Sequence, residues 1–341
     1  MLAYANTLAY RVKDLNAGPG DGLPERLKPH FYLHALGSTL FLRADDGVGG
    51  PALWRSDGTE AGTRLVKDFT PDAEDGLGDE PAVLDGAMYF FAGTGSDLGL
   101  WKMTESAEGP SLVRPLSPRG QGPTHYLRAF GAHLSFVHTA AETGTEPWIS
   151  DGTADGTRLL ADIRPGAESS DPRFFRVLGD TLTFAASDGV HGNELWRSDV
   201  AGGAVQVLDI HPTGDGLRQF ESNNEAIGGT LYFSADDGVH DAELWSSDGT
   251  AEGTRLFKDL WPGGPGTSQN SAPGDFTQVG STVFFTAWND GFGRELWKTD
   301  GTPEGTVRLQ ELRQGSPGEA LGGLVALNGR LVFIARGTYP H

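Results

Sequence analysis

A short phrase centred on tryptophan returns six times along this chain at nearly constant spacing. Its fullest copies read ELWSSDGTAEGT at 243–254 and ELWKTDGTPEGT at 295–306. The tryptophans stand at Trp54, Trp101, Trp148, Trp196, Trp245 and Trp297, so successive copies are 47 to 52 residues apart. Repeats of this length form small structural units that bury their apolar surface against neighbouring units.

Two further phrases accompany the tryptophan phrase. An apolar–turn–apolar segment such as AIGGTLYFSA at 226–235 precedes each copy, and a seventh example stands at 326–335. A phrase such as KDLWP at 258–262 ends each unit, and an extra example, KDLNA, stands at 13–17. Glycine-containing turns between apolar runs are strong hairpin signals. Each unit therefore reads as four strands: a hairpin, the Leu-Trp strand, and a strand after the Asp-Gly-Thr turn.

Four-stranded units of about 50 residues with regular aromatic residues are typical of β-propeller blades. Seven hairpin phrases and seven terminal phrases predict an all-β, seven-bladed β-propeller that forms a single domain, residues 1–341. The incomplete copies at the two ends predict how the ring closes. Residues 2–15 would complete the blade whose inner strands lie within 324–335.

The repeated tryptophan phrase predicts architecture rather than a repeated ligand site. Adjacent strand residues point to opposite faces, so the Leu and Trp of the phrase each face a neighbouring blade. A tryptophan in that position is expected to be buried. The Asp-Gly-Thr sequence suits a tight turn in which the aspartate accepts main-chain N–H bonds.

The phrases ELWRSD, ELWSSDGTAEGT and ELWKTDGTPEGT resemble the ELWxxDGT repeat family of bacteria such as myxobacteria. The resemblance covers essentially the whole chain and implies a propeller-like fold at an extracellular or cell-surface location, but no established reaction. Three units depart from the motif, at Pro147, after Trp101 and at Asp199-Val200. No signal peptide is visible in residues 1–15, which leaves open that an export signal was removed.

Composition narrows the classes of partner. The chain has 26 Lys and Arg against 46 Asp and Glu, a net charge of −20. So acidic a surface argues against nucleic acid and anionic membranes as partners, and no apolar run reaches 18 residues, so no membrane insertion is predicted. Without cysteine, disulfides, thiolate metal sites and cysteine nucleophiles are excluded. We expect the chain to be a monomer, with a protein or a glycan as its ligand.

The loops between the second and third strands are acidic. Their carboxylates belong to Asp45, Asp46, Asp188, Asp236, Asp237 and Asp290. Oxygen ligands of this kind suit Ca²⁺, but the loops lack the D-x-[DN]-x-[DN]-G spacing of a calcium loop. We therefore expect turns, with no metal or other cofactor; Ca²⁺ is the weaker alternative. His191 and His240 occupy equivalent loop positions, which repeat inheritance explains more simply than a catalytic or metal-binding pair.

The blade-linking loops are the better place for a ligand. Those at 16–30, 211–225 and 261–276 are longer than the rest and carry residues specific to one unit, and long loops on a rigid scaffold commonly carry function. The predicted ligand-binding residues are Arg218, Phe220, Asn223, Asn224 and Trp261, together with His191 and His240. An exposed tryptophan at Trp261 would stack on a sugar or a peptide side chain.

These observations predict a non-catalytic recognition or scaffold propeller, exported or surface-associated, with its ligand on the face of the blade-linking loops. The sequence has no G-x-S-x-G, H-E-x-x-H or P-loop signature. Two alternatives stay open, because a fold alone does not specify an activity. One is a propeller enzyme, a lyase or glycoside hydrolase, with carboxylates at the funnel mouth. The other is a lectin-like glycan binder that uses several blades.

The closure prediction is tested by truncation. Deleting residues 1–15 would leave the last blade as a hairpin with an unpaired edge, which is marginally stable and prone to aggregate. We expect that protein to be insoluble or to melt at a much lower temperature in a thermal scan. Removing Thr338–His341 is the control and should change little. An unchanged melting temperature after the N-terminal deletion would contradict the closure.

Overall fold

The computed structural model describes residues 11–16, 18, 33–70, 76–78, 80–94, 97–116, 125–217, 225–262, 270–289, 293–309 and 321–335. Within these residues the chain forms twenty-six β-strands and no α-helix. The chain divides into two compact units, Met1–Leu159 and Leu160–His341. We number the strands, and the sheets that they form, in chain order.

The first unit contains three sheets. Sheet 1 consists of β1 (Leu33–Leu36), β2 (Thr39–Ala44), β3 (Ala52–Ser56) and β4 (Arg64–Lys67). Sheet 2 consists of β5 (Ala82–Leu84), β6 (Ala87–Ala92), β7 (Gly99–Thr104) and β8 (Ser111–Pro115). Sheet 3 consists of β9 (His125–Phe130), β10 (His133–Ala140), β11 (Gly144–Ser150) and β12 (Arg158–Leu159).

The second unit contains four sheets. Sheet 4 consists of β13 (Arg173–Leu178), β14 (Thr181–Ser187), β15 (Asn193–Ser198) and β16 (Ala204–Leu208). Sheet 5 consists of β17 (Glu225–Ile227), β18 (Thr230–Asp236), β19 (Ala242–Ser247) and β20 (Arg255–Lys258). Sheet 6 consists of β21 (Gly274–Val279), β22 (Thr282–Trp288), β23 (Arg294–Thr299) and β24 (Val307–Arg308), and sheet 7 of β25 (Leu321–Leu327) and β26 (Arg330–Ala335).

All seven sheets are antiparallel meanders in which each strand pairs with the next along the chain. Six have four strands and sheet 7 has two among the described residues. The third strand of each four-stranded sheet carries the tryptophan, opposite a phenylalanine or leucine of the second strand, as in the pair Trp245 and Phe233. These seven successive sheets confirm the predicted fold class, an all-β, seven-bladed β-propeller.

Apolar clusters lie between sheets 1 and 2, 2 and 3, 4 and 5, and 5 and 6, and the Leu-Trp pair of sheet 5 contributes to two of them. Trp245 packs with Leu195 of sheet 4, whereas Leu244 packs with Phe285 of sheet 6. Leu244 and Phe285 are fully buried and Trp245 is 6% exposed. Neighbouring residues of one strand thus anchor opposite faces of their sheet, as the sequence predicted. Burying one such side chain contributes about 1.5–3 kcal/mol.

The Asp-Gly-Thr turn satisfies its own polar groups. In sheet 5, Asp248 Oδ1 accepts the N–H of Thr250 at 2.9 Å and its hydroxyl at 2.7 Å. The hydroxyl of Thr254 donates to the carbonyl of Thr250 at 2.6 Å and lies 2.7 Å from Ser247 Oγ. A Cβ on Gly253 would overlap the Asp248 carboxylate, so only glycine fits there. The turn is a closed hydrogen-bond network.

The same network recurs in the turns at 56–63, 150–157 and 299–306. Hydrogen bonds from the threonine of each turn hold the pKa of its aspartate below the ordinary value, at Asp57, Asp151, Asp248 and Asp300. With its donors and acceptors paired internally, the repeated phrase is part of the architecture.

In several repeats a basic side chain at the end of the last strand contacts the following sheet. Lys258, at the end of β20, donates to the carbonyls of Pro303 and Thr306 in the turn of sheet 6, at 2.8 and 2.6 Å. Arg114 reaches the turn of sheet 3 in the same way, at Ala154 O and 2.8 Å. Sheet 2 lacks the Asp-Gly-Thr turn, and there Lys67 lies over the ring of Trp101 instead, 4.7 Å from its centroid.

The N-terminal copy of the terminal phrase makes equivalent contacts with sheet 1. Lys13 Nζ donates to Thr63 O at 2.7 Å, and Leu15 packs on a cluster that includes Leu42 and Trp54. Residues 11–16 are not in a strand, and residues 2–10 lie outside the described part of the chain. The pairing of residues 2–15 with sheet 7, and with it the single domain of residues 1–341, stays a prediction.

The first strands of four sheets carry a bulge with left-handed backbone. Two residues there stand opposite one residue of the second strand, and the first of the two has a φ of 60° at Tyr126, 61° at Phe174, 55° at Asp275 and 63° at Gly323. Glycine adopts this conformation readily, whereas a bulky aromatic residue is strained in it.

The network of the Asp-Gly-Thr turn gives a stability prediction. Thr254→Val keeps the shape of the buried side chain but removes its hydroxyl, leaving acceptors in the turn unpaired. We expect the free energy of unfolding to fall by about 1–3 kcal/mol, as measured by urea denaturation. Thr230→Val is the control: that hydroxyl makes no hydrogen bond within the described residues, so a change below about 0.5 kcal/mol is expected. Equal losses in the two variants would contradict the role of the network.

Candidate functional site

The predicted ligand-binding residues fall into two groups. Arg218, Phe220, Asn223 and Asn224 lie outside the described residues, as does Asp290. Trp261, His191 and His240 are described. Trp261 is half-buried rather than exposed, and its main-chain N–H bonds to the carboxyl group of Glu243. The two histidines lie at the same end of sheets 4 and 5, on the loops between the second and third strands.

Each histidine is held by the aspartate three residues before it. His191 Nδ1 lies 2.7 Å from Asp188 Oδ2, while Asp188 Oδ1 accepts the N–H groups of Val190 and His191 at 2.8 and 2.9 Å. His240 and Asp237 repeat the arrangement, with 2.8 Å between Nδ1 and Oδ2. The hydrogen bond and the negative charge of the aspartate raise the pKa of each imidazole.

The linker between sheets 4 and 5 is bonded to both histidine loops. Asn193 donates its N–H to Asp215 Oδ1 at 2.7 Å, and Asp236 donates its N–H to Gly216 O at 2.9 Å. The ring of His211 packs so closely on Gly238 that a side chain there would contact it. Residues 187–193, 209–217 and 236–241 therefore form one continuous surface, which we call the loop surface.

A buried glutamate anchors this linker from below. Glu194, the first residue of ELW, is 1% exposed. Its carboxylate accepts the N–H groups of Ile210 at 2.9 Å, His211 at 3.3 Å and Gly216 at 2.9 Å. Burial raises the pKa of Glu194 to about 7. The sequence reasoning missed this residue, although a glutamate recurring within a buried strand, at Glu146, Glu194, Glu243 and Glu295, was a signal of it.

Glu243 is the equivalent residue in sheet 5, and its surroundings differ. Its Oε2 accepts the N–H of Leu260 at 2.6 Å and the hydroxyl of Ser271 at 2.7 Å. Its Oε1 is buried and has no hydrogen-bond partner among the described residues. Burial, helped by the negative charge of Asp259, raises the pKa of Glu243 to about 7. Oε1 can therefore be protonated without the loss of a hydrogen bond.

The tips of the histidine loops expose valine side chains. Val190 is 79% exposed and Val239 is 53% exposed. In the first unit, the corresponding loop of sheet 1 exposes Val48 to 89%. Packing does not require an apolar residue at these positions, and several hydrogen bonds hold the loops in place. Apolar side chains exposed close together are a feature of interaction sites, whereas single ones are common on protein surfaces.

The acidic loop residues proposed as weak metal ligands behave as turn residues. Asp45, Asp46 and Asp236 each accept a main-chain N–H from the residue two positions later, at 2.7, 3.0 and 2.7 Å. Among the described residues, no group of three or more histidine, aspartate or glutamate side chains is arranged to hold a metal ion. The same part of the chain has no helix long and apolar enough to cross a lipid bilayer.

Comparison with known proteins gives similarity of fold. No family model matches the chain, and no curated protein matches it. A prolyl endopeptidase structure is 12% identical with a TM-score of 0.52, over 89% of this chain and 49% of that one. A puromycin hydrolase is 17% identical with a TM-score of 0.46, over 89% and 50%. The β-propeller domain of the Trilobed protease from Pyrococcus furiosus is 11% identical with a TM-score of 0.43, over 90% and 91%.

At such low identity the resemblance to the prolyl endopeptidase concerns the fold alone. This chain spans about half the length of the prolyl endopeptidase and of the puromycin hydrolase. The β-propeller is thus the class that the sheets define.

Replacement by glutamine should affect the two buried glutamates differently. Glu243→Gln mimics the protonated acid, since Oε1 has no partner to lose. Because burial raises the folded-state pKa of Glu243 from 4.5 to about 7, the native state binds more protons than the unfolded state between those values, and stability falls as pH rises through them. The variant should show a shallower decline in urea denaturation between pH 5 and 8.

Glu194→Gln is the matched comparison. Both oxygens of Glu194 accept main-chain N–H groups. In glutamine an NH₂ group replaces one of these oxygens, and it would face a main-chain N–H group that it cannot accept. We expect a loss of about 1–3 kcal/mol at neutral pH. A wild-type pH slope in Glu243→Gln, or wild-type stability in Glu194→Gln, would contradict the assigned roles.

Proposed function

We propose that this chain is a non-catalytic recognition propeller whose ligand binds the loop surface of the second unit. The observation that carries the proposal is a contrast between the two ends of the sheets. The Asp-Gly-Thr turns pair their polar groups internally, whereas the loop surface presents Val190 and Val239 on loops fixed by hydrogen bonds. The resemblance to the ELWxxDGT repeats supports an exported or surface-associated location.

The chemistry of the loop surface favours a protein segment as the ligand. Exposed valine methyl groups match apolar side chains, and each is followed by an imidazole that can donate a hydrogen bond or carry a positive charge. A rigid loop loses little conformational freedom when it binds. The half-buried Trp261 supports the glycan alternative more weakly, because a stacking platform needs an open aromatic face.

The enzyme alternative has less support among the described residues. The carboxyl groups whose pKa is raised to about 7 are Glu194 and Glu243. Both are almost fully buried, and both accept main-chain N–H groups that position the linkers. A raised pKa therefore reflects structural burial at these two residues.

The proposal is tested with peptides selected from a random display library on the immobilised protein. A Val190→Ser and Val239→Ser double variant should bind the selected peptides at least about tenfold more weakly, since two apolar contacts are lost. Val307→Ser, which alters an exposed valine on an outer strand, is the control and should bind normally.

Trp261→Ala tests the neighbouring linker in the same assay, and a loss of about 1 kcal/mol is expected if the ring contacts the ligand. Hydrogen exchange should show protection of 187–193 and 236–241 in the complex. Protection confined to the turns at 247–254 and 299–306, or equal binding by the double variant, would refute the placement.

A further inference from the structure

Sheet 4, like sheet 2, lacks the closed turn network. Its turn reads SDVAGGA at 198–204, without the two threonines and with one residue fewer than the turn of sheet 1. Ala204 takes the position at which Thr63 pairs with Ser56 in sheet 1. Ser198 donates its hydroxyl to the carbonyls of Asp199 and Gly203 instead. The side chains that fill the regular turn are missing here.

A pocket of about 310 Å³, partly open to solvent, lies at this turn. Its lining consists of Thr181, Arg197, Ser198, Asp199 and residues 202–205. The volume is at the small end of the range for ligand sites. All of these residues belong to sheet 4 and its turn, and the pocket lies at the opposite end of the sheet from the loop surface.

Arg197 contributes a positive charge to the pocket, and the same charge helps to lower the pKa of Asp248 in the turn of sheet 5. The residue is half-buried, and its guanidinium group forms no hydrogen bond or ion pair within the described residues. Its counterpart in sheet 1, Arg55, donates to Thr39 Oγ1 and to the carbonyls of Glu105 and Ala107. A guanidinium group has five N–H donors and suits a carboxylate, which it can bind through two parallel hydrogen bonds.

Asp199 contributes the opposite charge two residues later. In the regular turns the equivalent aspartate accepts both the N–H and the hydroxyl of a threonine, as Asp57 does from Thr59. Asp199 accepts only the N–H of Ala201, at 2.9 Å, within the described residues. The rest of its carboxylate is available to a cationic donor. The hydroxyl oxygen of Thr181 adds a neutral acceptor to the lining.

We infer that this pocket binds a free α-amino acid in its zwitterionic form. Arg197 would pair with the α-carboxylate and Asp199 with the α-ammonium group, and the remaining volume admits a small side chain. A simple anion would meet repulsion from Asp199, and a simple cation would meet repulsion from Arg197. A ligand with both charges on one carbon satisfies both residues. This inference does not depend on the proposed function, because it concerns the other end of the sheet.

The test is an NMR titration of the full chain with L-alanine, with sodium acetate and methylammonium chloride as single-charge probes at matched ionic strength. L-Alanine should bind at least about tenfold more tightly than either probe. Arg197→Gln and Asp199→Asn should each weaken L-alanine binding about tenfold or more. Neither change removes a hydrogen bond that holds the turn, since asparagine can still accept the N–H of Ala201, so both variants should melt like wild type.

Lys298→Gln provides the matched control. Lys298 occupies the strand position of Arg197 in sheet 6, where the turn network is intact. The substitution removes the same charge and should leave L-alanine binding unchanged. Equal affinity for L-alanine and acetate would overturn the inference in favour of a plain anion site. No saturation at millimolar L-alanine, or undiminished binding by Arg197→Gln, would overturn it as well.

Discussion

Every four-stranded sheet of this protein is apolar on both faces, and the rest of the structure follows from that constraint. Leu244 and Trp245 bury opposite faces of one strand, so their sheet needs a neighbour on each side. A lone meander of this composition would leave one apolar face in water. Sheet 7 illustrates the cost: its two strands expose Val325, Leu327, Val332 and Ile334, at 49–61%. Stacking of consecutive sheets is therefore a condition of folding.

Burial on both faces leaves polar groups at the strand ends that must be satisfied locally. The Asp-Gly-Thr turn does this at one end through its own hydroxyl and carboxylate groups. At the other end the glutamate of ELW receives the main-chain N–H groups of the linker. At the turn end of the sheets the polar groups therefore bond to one another. At the loop end the main chain is held in place, and the side chains differ from sheet to sheet. Sheets 2 and 4 depart from this rule, and in sheet 4 a pocket lies at the altered turn.

Much of the fold could be predicted from the sequence because its signals are local. The spacing of the tryptophans indicated the length of the repeats, and strand alternation placed Leu244 and Trp245 on opposite faces. Glu194 was missed because a glutamate in a strand usually faces solvent, and its partners, Ile210 and Gly216, arrive 16 and 22 residues later through tertiary contact. Trp261 was expected to be exposed and is half-buried, with its main-chain N–H bonded to Glu243. The left-handed Phe174 has no local signal at all.

The basic side chains that reach the turn of the following sheet, Lys13, Arg114 and Lys258, bear on how such repeats can be recombined. Lys258 belongs to sheet 5 by sequence, yet its hydrogen bonds complete the turn of sheet 6. The turn of one repeat is therefore completed by a side chain of the preceding repeat. Sheet 6 moved into a foreign propeller would bring its own turn but lose the cation that its present neighbour supplies. Grafts that include the preceding Lys-Asp-Leu sequence should therefore be the more portable modules.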